Sequence, residues 1–500
     1  MSNRFRHGLL FSVFIIFAAS CGTARKAMDP AKKFPAEALR KDYTLLREIM
    51  EAFHPALYWY TPKDTMDYYF NKYYNAITDS MTRQQFGFTI LAPLTTKVHC
   101  GHTSFNYPRA YSRRKREHAQ PSFPLFMKIW PDTMVLTSNL NKKDSVLKRG
   151  TLITRINGLD VQQLADTLFR FMPTDGYAEN VNYIRLSAAF PYYHRNIMEL
   201  SKNYTVEYTD STGIERTTTV PLFDPATDSL ARTFIRNRNK QIDPEEKPAK
   251  WENFRSLKTD SAHSLAIMTI HSFGNKGRLP SFYRKSFRQL RKKNISNLVI
   301  DLRTNGGGKV NNYTALARYI RDTPFKVADT VTAMHNGLGH YKRYFSSGWL
   351  NSLILFFTTS RRDDGRYHFR YWEKHVFHPR GRNHYKGKVF VLINGPTFSA
   401  STLFAHAVKG QPNVLLVGEE AGGGAYGNSG ILIPDVILPE TKMKVRMPLF
   451  RLVQYRHGPK DGRGVMPDLY VPPTVSNIRN DRDGKMDRVM EIIKDSPAIQ

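Results

Sequence analysis

The sequence predicts a multi-domain α/β protein, with a helical N-terminal part, a β module in the middle and an α/β core toward the C-terminus. Three observations carry that prediction. Apolar residues recur at helical spacing from about 36 to 97, residues near 121 to 222 read as short strands with one helix, and strand, turn and helix alternate from 261 onward. With 500 residues, 41% of them hydrophobic, the chain can bury a large core in two or three domains.

The chain begins with Arg4 and Arg6, runs apolar from Gly8 to Ala19 and reaches Ala18-Ala19-Ser20-Cys21-Gly22. That layout is a secretory signal. It resembles a bacterial lipoprotein signal, in which Cys21 becomes the lipidated first residue of the mature protein, although Ala18 stands where such signals more often carry leucine. A dozen or so apolar residues is short against the ~20 that a membrane span needs. Residues 1–21 are thus expected to be signal and lipidation site, and the small, polar and basic residues 22–35 a tether. Cys100 is the other cysteine, so with Cys21 acylated no internal disulfide is expected; its ordinary role is a small buried filler, with a thiol nucleophile as the alternative.

The formal charge is +31, and removal of residues 1–20 takes away only Arg4 and Arg6. Such a surface attracts anionic partners, and for a lipid-anchored protein the nearest is the membrane. Nucleic acid is not expected as a partner, because the secretion signal argues against it and no nucleic-acid-binding motif is present.

Residues 36–120 are read as a helical subdomain. Leu39, Tyr43, Leu46, Ile49, Met50 and Phe53 form one face, and Met66, Tyr69, Phe70, Tyr73, Tyr74 and Ile77 a second, with Pro55 and Pro62 between them. In residues 121–222, Phe126 to Trp130, Thr133 to Thr137, Leu152 to Ile156 and Tyr204 to Tyr208 are strand-like, and Val161 to Phe171 is helical. Within this module Ser145 to Leu164, with its Ile-Asn-Gly turn before a helix, resembles the core of a PDZ domain; that likeness implies peptide capture by strand addition, against a plain spacer module. Residues 223–260, with Pro225, Pro244 and Pro248, read as a connector.

The α/β core is expected over 261–475, followed by a C-terminal tail at 476–500. His263 to His271, Asn297 to Asp301, Val389 to Ile393 and Val414 to Gly418 are its strands; Leu279 to Lys293 and Asn312 to Arg321 are helices. An insertion at 334–386 contains Trp349 to Phe357, flanked by Lys342, Arg343, Arg361 and Arg362. This segment is too short to cross a bilayer. Burial against the protein is the ordinary reading, and a dip into a membrane interface or a roof over a cleft are the others. His335, His340, His368, His375, His378 and His384 lack a tight ligand spacing, so no metal is expected.

One stretch organises this core. The buried strand Val389 to Ile393 stops at Gly395-Pro396, and small and apolar residues then recur at helical spacing from Ser399, which places Ser399 where a strand edge hands over to a helix. Unpaired N–H groups and the positive end of the helix dipole would stabilise an oxyanion there. A lone serine in this position is ordinarily an N-cap.

Four motifs change that reading. Asp301-Leu-Arg-Thr-Asn-Gly-Gly-Gly308, Phe398-Ser-Ala-Ser-Thr402, Val417-Gly-Glu-Glu-Ala-Gly-Gly423 and Gly464-Val-Met-Pro-Asp468 stand in the order found in the tail-specific, or C-terminal-processing, serine peptidase family, which the chain resembles over most of residues 36–475. The resemblance implies a ClpP/crotonase-like α/β core and a nucleophile at Ser399. The bacterial processing branch pairs that serine with a lysine on the turn after the next strand, but here the position falls on or near Gly424 and there is no lysine from Gly410 to Thr441. The chain is closer to the branch resembling the tricorn core. That likeness implies His102 as base and Asp461 as its orienting acid, at a position where the family usually has glutamate; His99 competes with His102, and Glu419 and Glu420 with Asp461. For the oxyanion hole it implies N–H groups of Ala400 and Gly307, with Gly306 and Gly308 as neighbours.

The expected function is that of a lipid-anchored envelope serine endopeptidase. It would cleave extended or C-terminal regions of protein substrates through an acyl-enzyme on Ser399, with no metal or organic cofactor. The alternatives are a non-catalytic peptide- or ligand-binding lipoprotein of the same fold and an acyl-CoA enzyme using the same glycine turn; the secretion signal and PDZ-like module argue against the last.

Overall fold

The computed structural model describes residues 28–112, 120–227 and 253–495. The signal segment, Cys21, the start of the tether and most of the connector lie outside the described residues. Helices α1 (Ala36–Phe53) and α2 (Lys63–Asn75) open the body, and α1 buries Leu39, Tyr43, Leu46, Ile49, Met50 and Phe53, the stripe its spacing predicts. These helices have no core of their own. Their apolar faces join one cluster that continues through Met268, Ile300, Val391, Phe404 and Leu452. Asp42, fully buried on α1, ties the two parts together: its carboxylate accepts from the N–H groups of Glu440 and Thr441, both at 2.8 Å, and from the Thr441 hydroxyl at 2.7 Å.

The middle module does have its own core. Strands β1 (Leu125–Trp130), β2 (Thr133–Asn139), β3 (Leu152–Ile156), β4 (Asn203–Thr209) and β5 (Glu215–Pro221) form an antiparallel sheet in sequence order. Helix α3 (Val161–Phe169) starts on a capping box between Asp160 and Gln163. A second helix, α4 (Asn180–Ile197), packs on β1 and is not anticipated by the sequence reading. Its signal is weak for a physical reason: it contains Pro191 and breaks helical geometry at Ala189 (φ −147°, ψ 32°), so its apolar stripe does not stay in phase.

The C-terminal core is built on a six-stranded sheet in the order β11-β10-β9-β8-β7-β6, from β6 (Arg255–Asp260), β7 (Leu265–Ile270), β8 (Asn297–Asp301), β9 (Lys388–Ile393), β10 (Val414–Gly418) and β11 (Leu469–Tyr470). Strands β7 to β11 are parallel, and β6 runs antiparallel on the edge. Helices α5 (Leu279–Lys292) and α6 (Val310–Ala317) follow β7 and β8. The register pairs Asp301 with Leu392 and Ile393 with Gly418, so β8, β9 and β10 end side by side. Loops leaving the carboxyl ends of adjacent parallel strands meet in one crevice, the place where such sheets bind ligands.

Two features of the core differ from the sequence reading. In the insertion, helix α7 (Gly348–Thr358) buries Gly348, Asn351 and Leu355, while Trp349, Leu350, Phe356 and Phe357 face solvent, so burial against the protein does not hold for this segment. Residues 476–500, read as a tail, contain helix α9 (Gly484–Asp495), whose Val489 is fully buried against Leu265, Val299, Phe390, Leu392 and Val417 on the open face of the sheet. Among the described residues no helix is long and apolar enough to cross a membrane.

Candidate active site

Strand β9 ends at Ile393, and helix α8 (Ala400–Val408) begins seven residues later. Ser399 occupies the N-cap position of α8 with φ 56° and ψ −122°, a conformation that costs an L-residue on the order of 1–3 kcal/mol. Its side chain makes no capping hydrogen bond. The N-cap role that the position would ordinarily imply is therefore not what holds a serine there. The turn itself is held by neighbours: Thr397 Oγ1 donates to Leu302 O (2.9 Å), the Phe398 N–H to Asn305 O (3.2 Å), and Thr402 Oγ1 to Thr397 O (2.9 Å). The result is a sharp strand-to-helix elbow with Ser399 at its bend.

The glycine turn after β8 packs directly on the elbow. Gly307 has φ 98°, and a Cβ placed on it would lie 2.7 Å from Phe398 O, 2.8 Å from Ser399 Cβ and 2.9 Å from Ala400 N. Only glycine allows that approach. The Gly307 N–H, however, donates to Asn305 Oδ1 at 2.9 Å, so it is already engaged. On the same turn the Arg303 guanidinium grips Asp301 at 2.7 Å and Asp483 at 2.6 Å, a bracing role that links the turn to the start of α9.

His102 is brought to this elbow from 297 residues earlier in the chain, its ring centroid 4.7 Å from that of Phe398, the residue before Ser399. It is 8% exposed, and its Nδ1 is buried without a hydrogen-bond partner. Burial, helped by the charges of Arg446 and Arg185, holds the imidazole neutral down to about 3. His99 faces elsewhere: it sits at φ 51°, its Nδ1 is 3.0 Å from Gly176 O, and its ring packs edge-on against Tyr177.

The carboxylates are arranged differently from the sequence expectation. Asp461 is exposed and accepts from the Arg463 N–H at 2.9 Å; the structure does not bring it to His102. Glu419 is engaged by Lys485 at 2.6 Å, and Glu420 by the Gly464 N–H at 2.7 Å and Arg463 at 3.0 Å. A carboxylate that the sequence does not single out does lie beside His102. Asp175, 3% exposed, places an oxygen within 4.8 Å of a His102 ring nitrogen and of Cys100 Sγ. It accepts from the Gly101 N–H at 2.7 Å and, more weakly, from the Gly424 N–H at 3.4 Å, so it joins the histidine loop to the loop after β10. Burial pushes its carboxyl up to about 7, against the pull of those two N–H groups. In the sequence it is only the Asp of an Asp-Gly turn, which ordinarily signals a surface turn.

Cys100, His102 and Asp175 are ligand types for a transition metal, but the fit is poor. Both Asp175 oxygens are already taken by main-chain N–H groups, which leaves no free carboxylate in the set. Beyond the histidine loop, a cavity of about 650 Å³ lies between Phe88, Phe105, Met172, Arg185 and Tyr193.

Known proteins share this architecture. Mature CPAF matches with a TM-score of 0.62 at 15% identity, over 93% of this chain and 99% of that one. CPAF complexed with lactacystin matches with a TM-score of 0.63 at 14% identity, over 92% and 98%. A putative peptidase from Parabacteroides merdae matches with a TM-score of 0.47 at 15% identity, over 91% and 96%. No curated protein sequence is significantly similar to the chain. Residues 264–471, the segment that contains Ser399, the glycine turn and Asp461, match the model of Peptidase family S41. The α/β core built around the Ser399 elbow is a Peptidase family S41 domain, and the chain that carries it is a serine-type peptidase.

Proposed function

We propose that the protein is an endopeptidase that cleaves extended or C-terminal regions of protein substrates through an acyl-enzyme on Ser399. The observation that carries this reading is the Ser399 elbow: a strained serine whose hydroxyl caps nothing, braced by a glycine that no other residue can replace. Ser399 Oγ attacks the scissile carbonyl carbon as His102 takes its proton. The oxyanion that forms is held by the Ala400 N–H, at the positive end of α8, and by the glycine turn. Because the Gly307 N–H is engaged by Asn305, Gly307 serves by letting the substrate approach the main chain closely. Collapse of the intermediate breaks the C–N bond, and the leaving amine takes the proton from His102. Water then adds to the ester by the same route, releasing the acid and restoring Ser399.

The imidazolium formed midway needs a carboxylate. Asp461 would serve after its loop turns inward with substrate bound, whereas Asp175 would serve from where it stands. Peptide would be presented by strand addition to the PDZ-like module. The N-terminal residues support a location in the cell envelope with a lipid on Cys21.

Fluorophosphonate labelling of the purified protein tests the central claim. Labelling is expected in the parent and absent in both Ser399→Ala and His102→Ala. A folded parent that resists both this probe and a smaller sulfonyl fluoride would instead support a non-catalytic, peptide-binding role.

A further inference from the structure

Helix α7 is built the wrong way round for a surface helix. At about 100° per residue, Trp349, Leu350, Leu353, Phe356 and Phe357 fall within an arc of about 120°. Gly348, Asn351 and Leu355, the residues it buries, lie on the opposite side. The outward arc is exposed in fact as well as in projection: Trp349 is 67% exposed, Leu350 51%, Phe356 60% and Phe357 77%. An apolar face of this kind on a protein surface marks a contact with something else.

The surroundings say what that contact is. Lys342 and Arg343 precede the helix and Arg361 and Arg362 follow it, all exposed. Arg362 pairs with Glu373 at 3.3 Å, but Lys342, Arg343 and Arg361 have no acidic partner among the described residues. Asp363 and Asp364 lie next to them, and Asp364 is engaged by His368 at 3.0 Å. Tryptophan and phenylalanine on one face, bordered by unpaired cations, are complementary to a lipid surface with anionic headgroups and not to a neutral protein groove. At 11 residues the helix is about 16 Å long, too short to span a bilayer, so it would lie in the interface plane.

We infer that α7 is a membrane-docking element that inserts its Trp349/Phe356/Phe357 face into the interface of an anionic bilayer. It is separate from any lipid on Cys21 and independent of the catalytic reading. With two points of attachment, the Ser399 crevice takes a fixed orientation relative to the membrane, so that substrates near the bilayer surface are favoured.

The test uses the full chain with Cys21→Ser, which removes the lipid site and leaves Cys100 buried, and with Phe357→Cys carrying an environment-sensitive fluorophore. Adding phosphatidylglycerol vesicles is expected to shift the emission to the blue and protect the label from aqueous iodide. The effect should be weaker with phosphatidylcholine, fall with salt, and drop about tenfold or more in apparent partitioning when Trp349→Ser and Phe356→Ser are added. A label that stays solvent-like while the protein sediments with vesicles would overturn the inference, because another segment would then be making the contact. Failure to bind vesicles at all would do the same. So would a blue shift without vesicles that grows with protein concentration, which would identify a second copy of the chain as the occupant.

Discussion

The Ser399 elbow and helix α7 depart from the rules of ordinary surface structure in opposite ways. At Ser399 the backbone is strained while everything around it is packed: Gly307, Gly423 and Thr402 close on it so tightly that a Cβ on Gly423 would stand 2.4 Å from Thr402 Oγ1. Along α7 the geometry is regular, and it is the side chains that are misplaced, with aromatic rings in water. Strain is sustained only where surrounding contacts over-determine a conformation, and exposed apolar surface persists only where a partner covers it for part of the time. The first therefore supports the proposed chemistry inside the chain, and the second the proposed contact outside it. Substitutions should separate the two sharply.

The largest effect is expected at Gly307. Gly307→Ala combines overpacking against Phe398 O and Ser399 Cβ with a φ of 98° that L-residues avoid, and should cost roughly 3 kcal/mol or more together with fluorophosphonate labelling. Gly306→Ala, one residue away, meets nothing within 4 Å and should be close to neutral. If urea melts of the two variants coincide, the elbow is not the rigid frame described here.

Next comes the choice between the two carboxylates. Asp175→Ala leaves the half-buried Gly101 N–H and the buried Gly424 N–H short of an acceptor and should lower stability by about 2 kcal/mol, whereas Asp461→Ala at an exposed loop should stay within about 0.5 kcal/mol. Their labelling rates decide which one serves His102. A large rate loss confined to Asp461→Asn would require the 461 loop to move in, and one confined to Asp175→Asn would assign the role to the residue already in place.

The third effect is a pH dependence of similar size. His102 stays neutral in the folded protein down to about 3, so below its ordinary pKa of 6.5 the unfolded chain binds a proton that the native state does not. Its contribution to stability is intact above about 6.5 and is lost as pH falls toward 3. His102→Gln removes that penalty, so relative to the parent it should gain about 2 kcal/mol between pH 8 and pH 5. Asp175 runs the other way, since its folded pKa is raised to about 7: the native state holds the proton more tightly, and stability falls as pH rises from about 4 to 7. A difference between parent and His102→Gln that is flat with pH would show that His102 is solvated. The smallest effect belongs to α7, where Phe357→Ser should change stability by less than about 0.5 kcal/mol because the ring is largely exposed and meets only the edge of the exposed Phe356 ring.

The same contrast separates what was legible in the sequence from what was not. Ser399 could be placed because strand, Gly-Pro stop and helix are local patterns that meet at one residue. The expectation that His102 lies at the elbow rests on family resemblance alone, since nothing in Cys-Gly-His-Thr sets it apart from any loop histidine, and Asp175 gives no signal because an Asp-Gly dipeptide looks like any turn. Helix α4 was lost to Pro191 and the break at Ala189, and α9 to its place after the last strand, where a short amphipathic segment resembles a fraying end.

By itself, then, the sequence determined the secondary elements with strong periodicity, the order of the layers and the place of Ser399 between a strand and a helix, because each is set by residues close together along the chain. The tertiary structure decided which carboxylate stands beside His102, that the N-terminal helices share their core with the α/β layer, and that the apolar run at 349–357 faces outward. Those outcomes depend on burial. Burial is settled by surfaces that meet from distant parts of the chain, and hydrophobicity along a segment records that it seeks cover without recording what provides it.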